Sequence, residues 1–286
     1  MNVYMYRNPI VQENIAKLRS IGVQFVEPDE GYLACGDEGA GRVAPVEEIA
    51  ERALMMLKLS ASLAGKHVVV TAGPTWESLD PVRILTNRSS GKMGYAFAEE
   101  AVMRGAHVTL ISGPTQILPP LGVDLIRVES ARQMRDAVLE VFPSADYVIK
   151  SAAVSDFTPA ESLPDKKRKS GKSETLTLYP TDDILALLAN KRENQILVGF
   201  CAETENLEKN AQEKLARKKL DLIIANRVGG EHSAFQSDQN EVLVFDRLGN
   251  KNNFDRQEKR VLASRIWDII IERTAELKNH PIVSHA

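Results

Sequence analysis

From Lys66 onward, short apolar runs alternate with segments whose apolar residues recur at helical spacing. The apolar runs are typical of strands buried on both faces, and the intervening segments are typical of amphipathic helices. The predicted strands are His67–Thr71, His107–Ser112, Asp124–Val128, Tyr147–Ser151, Ile196–Phe200 and Leu222–Ala225. The predicted helices between them are Gly94–Arg104, Ala131–Phe142, Asp182–Asn190 and Leu207–Lys219. This order predicts a Rossmann-like α/β fold, with a mostly parallel sheet and helices on both faces.

The two ends of the chain depart from this alternation. At the carboxyl end, a hairpin of Glu241–Phe245 and Lys251–Phe254 is predicted, followed by an amphipathic helix over Glu258–Leu277. Residues 1–64 are expected to form a separate small unit that is too short to bury a core alone. Its predicted parts are a helix from Asn8-Pro9 to Gly22, a strand at Val23–Val26, a glycine-rich loop from Gly31 to Arg42, a helix at Val46–Leu59 and a linker at Ala61–Gly65.

The composition is that of an ordinary globular protein. Of the 286 residues, 43% are hydrophobic and 26% are charged, and the net charge of −3 argues against a general nucleic-acid binder. No apolar run approaches the roughly 18 residues that a membrane-spanning helix needs. The two cysteines, Cys35 and Cys201, have no metal-type spacing, which indicates a reducing, cytoplasmic setting.

The polar loop between the first predicted strand and helix is the strongest candidate for ligand binding. It contains Gly73 and Gly91, which are too far apart for a dinucleotide fingerprint, and it lacks the glycine and hydroxyl residues of a P-loop. Ser89 or Ser90 is expected to cap the helix, where free N–H groups attract an anion. A simple capped helix explains the same residues, but the neighbouring Arg83 favours a phosphate site.

The ends of the other strands supply further candidate residues. The second strand ends at Ser112 without the ribose-binding carboxylate of nicotinamide dehydrogenases, which makes an oxidoreductase the weaker hypothesis. The fourth strand is followed by the small residues Ala152 and Ala153, which let a base or phosphate approach the backbone. Asp156 is suited either to hold magnesium beside phosphates or simply to cap the loop.

Basic residues gather in two later segments. The run Lys166–Lys172 is typical of a solvated loop, and its position after a nucleotide-type strand also suits a lid over a polyphosphate. Lys214 and Lys218 are four residues apart, so they share one helix face. They are either ordinary surface lysines or nucleotide ligands, because their helix leads into the strand that ends at Asn226.

Taken together, these motifs strongly resemble phosphopantothenoylcysteine synthetase, the synthetase half of a bacterial bifunctional coenzyme A biosynthesis protein. The resemblance covers about residues 65–286 in order. The first ~60 residues resemble the tail of phosphopantothenoylcysteine decarboxylase, a flavodoxin-like domain, through Met1–Tyr6 with its Asn2 and Gly31–Gly36 with its Cys35. The synthetase motifs are Thr71–Thr75, Asp80–Arg83, Asn87–Gly94, Ala152–Asp156, Gly199–Thr204 and Asp221–Asn226.

The resemblance implies a CTP-dependent ligase that joins 4′-phosphopantothenate to L-cysteine through an acyl-cytidylate, with Mg²⁺ and as a cytoplasmic homodimer. By position, Asn87 matches the asparagine that handles the acyl-cytidylate, and Lys166 matches the first lysine of a flap over the phosphates. Asp156 matches the residue near triphosphate and metal, and Arg83 an arginine that reaches the neighbouring subunit's substrate. The remaining matches are Ser89, Ser90 and Gly91 for substrate, and Ala152, Ala153, Phe200, Lys214, Lys218 and Asn226 for CTP.

The decarboxylase resemblance is incomplete. The FMN-binding sheet of that enzyme would precede Met1, so we expect no decarboxylation by this chain alone. Besides the ligase, two classes remain open from sequence: a nicotinamide oxidoreductase on a similar sheet, and a non-catalytic module in which the remnant of one enzyme drives assembly through another.

Overall fold

The computed structural model describes residues 2–33, 36–58, 61–168, 171, 173, 175–191, 194–227 and 237–280. The chain divides into two compact units, Met1–Leu59 and Ser60–Ala286. Among the described residues, we find no helix whose length and apolar character would allow it to cross a membrane.

The described part of the first unit combines short helices with one antiparallel hairpin. Asn2 caps the first helix by accepting from Met5 N at 2.8 Å, and Asn8 caps the second by accepting from Ile10 N at 3.0 Å. Pro9 occupies the first turn, where its missing N–H costs nothing. The elements are α1 (Val3–Tyr6), α2 (Pro9–Ser20), β1 (Asp29–Tyr32), β2 (Glu38–Arg42) and α3 (Val46–Lys58).

The strand predicted at Val23–Val26 is wrong, because these residues carry no strand pairing in the structure. The glycine-rich segment that was predicted as a loop instead forms the β1–β2 hairpin, with Gly31 opposite Gly39. A Cβ on Gly39 would lie 2.9 Å from a methyl carbon of Val3, so the glycine allows the strand to approach α1 closely. The apolar composition of a segment therefore did not suffice where no partner strand lay beside it.

The second unit contains the alternating elements that the sequence predicts, each within a few residues of the predicted bounds. Its strands are β3 (His67–Ala72), β4 (Trp76–Ser78), β5 (Ile84–Thr86), β6 (His107–Ser112), β7 (Val123–Arg127), β8 (Tyr147–Lys150), β9 (Phe157–Pro159), β10 (Leu178–Pro180), β11 (Ile196–Glu203), β12 (Leu222–Arg227), β13 (Gln239–Asp246) and β14 (Lys251–Glu258). Its helices are α4 (Lys92–Met103), α5 (Ala131–Val141), α6 (Ile184–Lys191), α7 (Leu207–Arg217) and α8 (Lys259–Asn279).

Eight of these strands form one sheet in the order β14-β13-β12-β11-β8-β3-β6-β7. The strands from β12 to β7 run parallel, while β13 and β14 are added antiparallel as the predicted hairpin. The predicted α/β fold class is confirmed. Because the parallel strands point the same way, the loops after β3, β8, β11 and β12 meet at one carboxyl edge.

The sheet separates two hydrophobic layers. On one face, Trp267 of α8 is fully buried, donates from its indole nitrogen to Phe97 O at 3.1 Å, and meets the Tyr147 ring edge-on at 5.7 Å between centroids. Successive strand residues alternate between the layers, with Val68 and Val70 on the α4–α8 side and Val69 on the α5–α7 side. This double burial explains why the strands read as continuous apolar runs.

Two short hairpins, β4–β5 and β9–β10, were not predicted. Each strand has three residues, which is too short for an alternating pattern to show. Both hairpins arise in loops at the carboxyl edge of the sheet, and β5 leads directly into Asn87. They therefore shape the candidate site although the sequence pattern gives no sign of them.

The segment Ala61–Gly65 was predicted as a linker, and this prediction is wrong for its first residues. Ala61–Leu63 form a 3₁₀ turn, and Leu63 is fully buried with its N–H bonded to Arg104 O at 2.9 Å. Leu63 belongs to the core layer of α4 and α8. This segment is therefore part of the folded second unit.

Candidate active site

The loops that follow β3 and β8 are joined at the carboxyl edge of the sheet. Ala153 N donates to Gly73 O at 2.9 Å. Asn87, just after β5, donates its side-chain amide to the carbonyl oxygens of Ala153 and Val154 at 3.3 and 3.0 Å. The predicted substrate residue Asn87 and the predicted nucleotide residue Ala153 are thus in direct contact.

A cluster of glycines packs the start of α4 against the end of β3. A Cβ on Gly91 would lie 3.2 Å from Gly73 N and 2.9 Å from a methyl carbon of Thr115. A Cβ on Gly94 would lie 2.6 Å from the Ala72 Cβ. Gly73 and Gly91, which are too distant in sequence for a dinucleotide motif, are therefore neighbours in space. Their close packing places backbone N–H groups at the carboxyl edge of the sheet.

The predicted cap at Ser89 or Ser90 is wrong. The N-cap of α4 is Gly91, which has φ 80° and no side-chain capping bond. Ser89 Oγ instead accepts from Gly91 N at 3.3 Å, before the helix begins. The left-handed backbone explains the difference, because glycine adopts it without strain whereas serine does not. Ser89 and Ser90 are half-buried beside the helix start.

Lysines gather where β8 ends. Lys150, the last residue of β8, donates from its ammonium group to Ala152 O at 3.2 Å. Burial is the main cause that lowers the pKa of Lys150 to about 8, and the positive charges of Lys214 and Lys218 lower it further. The charge of Asp156 acts in the opposite direction. The cluster therefore concentrates positive charge at the edge of the sheet beside one carboxylate.

The other two lysines of this cluster are Lys214 in α7 and Lys218, which directly follows that helix. Lys214 Nζ donates to Phe200 O at 2.8 Å, and Lys218 forms an ion pair with Asp183. The ring of Phe200 lies on the other side of the sheet, edge-on to Phe97 at 5.8 Å between centroids. The helix predicted over Leu207–Lys219 ends at Arg217, but the positive charges of Lys214 and Lys218 both act on Lys150.

Two further predicted nucleotide residues line the same edge. Asn226 is buried near the end of β12, opposite Ala202 of β11. Ala152 is buried and donates its N–H to Thr71 Oγ1 at 3.2 Å. Ala152 offers little side-chain bulk, and Asn226 offers a buried amide. This combination suits a planar or phosphate-bearing ligand close to the backbone.

Lys166 and Arg83 lie on adjoining loops. Lys166 is exposed, and its neighbour Lys167 is bonded through its backbone to Asp80 and Arg83. Arg83 is half-exposed and pairs with Asp80 through Nε at 2.8 Å. Within this chain the guanidinium thus contacts the Asp80 carboxylate and the loop of Lys166; contact with a neighbouring subunit stays a prediction.

Sequence reasoning missed two residues of this arrangement, Lys150 and Asp80. A lysine at the end of an apolar strand was a usable signal for Lys150, since burying an ammonium group is costly. Asp80 begins the motif Asp80–Arg83, but nothing in the sequence indicated that its carboxylate would be buried and paired with Arg83.

Residues 63–274 match the DNA/pantothenate metabolism flavoprotein C-terminal domain. The chain belongs to this family. A second match, to the Flavoprotein family, covers residues 1–58. The glycine cluster, Asn87 and the lysines all fall within the larger match, so the candidate site lies in the pantothenate metabolism flavoprotein domain.

Two curated relatives of this chain are bifunctional proteins of coenzyme A biosynthesis. The chain is 50% identical over 262 residues to the coenzyme A biosynthesis bifunctional protein CoaBC of Bacillus subtilis (strain 168), covering 91% of this chain and 64% of that protein. It is 40% identical over 274 residues to the protein of that name from Haemophilus influenzae, covering 96% of this chain and 68% of that protein. The chain thus spans less than two thirds of the length of the Bacillus protein.

A solved structure from the same group is similar to the second unit. The crystal structure of the C-terminal domain of coenzyme A biosynthesis bifunctional protein CoaBC superposes with a TM-score of 0.66 and 38% sequence identity, covering 76% of this chain and 100% of that chain. The mostly parallel sheet is therefore shared with the C-terminal domain of a family member.

Two residues of the flavoprotein match were predicted as remnants of a decarboxylase site. Asn2 caps α1 through its side-chain oxygen, which gives it a structural role in the first unit. Cys35 lies outside the described residues, as do Lys169 and Lys172 of the basic run. The FMN assignment accordingly stays a prediction.

Proposed function

We propose that this chain joins 4′-phosphopantothenate to L-cysteine at the expense of CTP, releasing CMP and pyrophosphate, as a step in coenzyme A biosynthesis. Membership of the pantothenate metabolism family and 50% identity to a protein named for coenzyme A biosynthesis support the pathway. The motifs that resemble phosphopantothenoylcysteine synthetase support the reaction.

One observation carries the proposal: Lys150, Lys214 and Lys218 place their charges together at the carboxyl edge of the sheet. Burial is the main cause that lowers the pKa of Lys150, and repulsion from the ammonium groups of Lys214 and Lys218 lowers it further. A triphosphate would reverse that repulsion, because its oxygens offer the negative charge that the cluster lacks. A nucleoside triphosphate is therefore the ligand class that fits this edge best.

The first chemical step needs electrostatic help more than a base. A carboxylate oxygen of phosphopantothenate attacks the α-phosphorus of CTP, the bond to the bridging oxygen breaks, and pyrophosphate leaves with the electron pair. The nucleophile is already an anion, so the protein has to overcome charge repulsion and align the groups. The lysines and the N–H groups at the start of α4 are suited to this task.

The second step transfers the acyl group. The amine nitrogen of cysteine attacks the acyl carbon, CMP leaves with the electron pair of the carbon–oxygen bond, and the amine loses a proton. The side-chain amide of Asn87 donates to the carbonyl oxygens of Ala153 and Val154, which fixes its orientation against the loop after β8. This position supports a role in holding the acyl-cytidylate for attack.

A Mg²⁺ ion fits this site only as a partner of the phosphates. Among the described residues, no group of three or more His, Cys, Asp or Glu side chains is placed to hold a metal. The exposed carboxylate of Asp156 offers one oxygen ligand, and phosphate oxygens and water complete the shell that magnesium prefers. When bound, the ion would neutralise phosphate charge.

A homodimer is also proposed. Large apolar side chains are exposed on the two short hairpins, including Val82 at 61%, Phe157 at 51% and Tyr179 at 57%. Burial of these side chains against a second copy would remove their apolar surface from water. Light scattering after size-exclusion chromatography tests this, because a dimer should become monomeric when Val82 is changed to Lys.

The decisive experiment measures pyrophosphate release by purified protein with magnesium, CTP, 4′-phosphopantothenate and cysteine, with ATP in a parallel reaction. Release that needs phosphopantothenate and favours CTP supports the ligase. Release of about one equivalent per site without cysteine would support the two-step route. No release with either nucleotide, from protein shown to be folded, would overturn the proposal.

A further inference from the structure

Asp80 is a buried carboxylate that accepts an unusual number of hydrogen bonds. Its Oδ1 accepts from Val82 N and Arg83 N, both at 2.9 Å. Its Oδ2 accepts from Arg83 Nε at 2.8 Å and from Lys167 N at 3.3 Å. The Arg83 guanidinium is the main cause that holds the pKa of Asp80 far below its usual range, and the backbone donors add to it.

The same pair holds the other side of the Lys167 backbone. Arg83 Nη2 donates to Lys167 O at 2.7 Å, while Asp80 accepts from Lys167 N. A third bond, from Leu163 N to Leu79 O at 3.0 Å, fastens the start of the same loop to the turn before Asp80. Both backbone polar groups of Lys167 are therefore bonded to the Asp80–Arg83 ion pair.

We infer that Asp80 and Arg83 are positioning residues for Lys166, acting through the backbone of Lys167. This inference rests on the proposed function, in which Lys166 acts on the reacting phosphates. An exposed lysine has a long, mobile side chain, so its reach depends on where its backbone is held. Because Asp80 stays ionised throughout the ordinary pH range, the anchor does not titrate with the substrates.

The kinetic test changes Asp80 to Asn, which keeps the shape but removes the charge. The ligation kcat should fall about tenfold or more, because the flap is displaced, with only a small change in the KM for CTP. In protein that already carries Lys166→Ala, Asp80→Asn should cause little further loss, since both changes remove the same contribution. Fully additive losses would overturn the inference.

A second test needs no activity. Trypsin cleaves after Lys166, Lys167 and Arg168, and release of the anchor should raise the rate of native-state cleavage there by about fivefold. If Asp80→Asn is poorly folded, Arg83→Lys serves instead, because lysine keeps the charge but cannot hold the carboxylate and the Lys167 carbonyl together. An unchanged cleavage rate in a folded variant would overturn the anchor.

Asp246 provides a matched control. Its side chain is as buried as that of Asp80, it accepts from Leu248 N and Asn250 N, and it faces an arginine, Arg273. It lies beside the first residue of β12, at the opposite edge of the sheet from the site. Asp246→Asn should therefore lower stability while leaving kcat and cleavage after residues 166–168 unchanged. Equal effects of the two variants would mean that Asp80 acts only through global stability, which would overturn the inference.

The two proposals fail in different ways. If wild-type protein performs no ligation, the proposed function falls, and the cleavage experiment alone decides whether the anchor exists. If ligation is normal and Asp80→Asn changes neither kcat nor cleavage, the positioning role of Asp80 and Arg83 is rejected, whereas the proposed ligase function is supported.

Discussion

The side-chain nitrogen of Asn87 lies 3.0 Å from the carbonyl oxygen of Val154, which bonds the end of the β4–β5 hairpin to the loop after β8. A second carbonyl, that of Ala153, accepts from the same nitrogen. Because the amide is fixed by acceptors on one side, a substrate can meet its oxygen only in one orientation. This contact leads to a specific prediction for the substitution of Asn87.

Asn87→Asp should slow the second step and let the acyl-cytidylate accumulate. An aspartate would place an anionic oxygen against two carbonyl oxygens, so the side chain would turn away and oppose the phosphate charge. A loss of about 10²-fold in turnover is expected, as for other oriented amide groups. Mass spectrometry of quenched reactions checks it, with Asn279→Asp at the exposed end of α8 as control. Absence of the intermediate would count against this role.

Lys166→Ala should reduce kcat by about tenfold to a hundredfold while changing the affinity for CTP by less than about threefold. The ammonium is most useful where negative charge builds up, so it stabilises the transition state more than the bound nucleotide. Single-turnover kinetics and calorimetric binding separate the two effects. Equal losses in rate and affinity would show that Lys166 only binds CTP.

Proton uptake should accompany CTP binding near pH 8. The pKa of Lys150 is about 8 in the free protein because burial, Lys214 and Lys218 disfavour its charged form, while Asp156 favours it. A bound triphosphate favours the charged form and raises that pKa. CTP affinity should therefore fall as the pH rises above about 8, where the free protein has lost the proton.

Calorimetry in buffers of different ionisation enthalpy measures the uptake directly. Lys150→Met should abolish it and weaken CTP binding. Lys66→Met is the control, since Lys66 pairs with Asp146 and its raised pKa keeps it charged at this pH. Uptake that persists in Lys150→Met would assign the proton to another group.

Gly91→Ala should impair both folding and nucleotide binding. The residue has φ 80°, and an added Cβ would lie 2.9 Å from Thr115 and 3.2 Å from Gly73 N. Gly65→Ala is the matched control, because its φ is 71° but nothing lies within 4 Å of the new carbon. We expect thermal unfolding to show a loss about 1–3 kcal/mol greater for Gly91→Ala, and CTP binding to fall only in that variant. Equal losses would mean that backbone strain alone matters here.

The parallel sheet could be predicted because each of its core strands carries its own signal. Runs such as His67–Thr71 and Ile196–Phe200 are apolar on both faces, since helices cover both sides of the sheet. The segment Val23–Val26 was predicted as a strand because its composition is similar, but it has no neighbouring strand to pair with. Pairing is a property of the whole fold, and a local pattern does not contain it.

The candidate site was predictable in outline through its motifs, but its contacts were not. Gly73 and Gly91 are neighbours only because α4 folds back on the end of β3. The environment of Lys150 depends on Lys214 and Lys218, and Asp80 is bonded to the loop of Lys167. These relationships join residues far apart in the chain, so they became visible only once the strands were placed side by side.

The buried 3₁₀ turn that carries Leu63 also fixes where the second unit can be cut. A recombinant form that starts at Lys66 would omit Leu63 and leave a void next to α4 and α8, at a cost of about 2–5 kcal/mol. A form that starts before Ala61 keeps the Leu63 side chain in the core and the backbone hydrogen bond from Leu63 N to Arg104 O. The minimal autonomous length of the unit is therefore set by a side chain that lies ahead of its first strand.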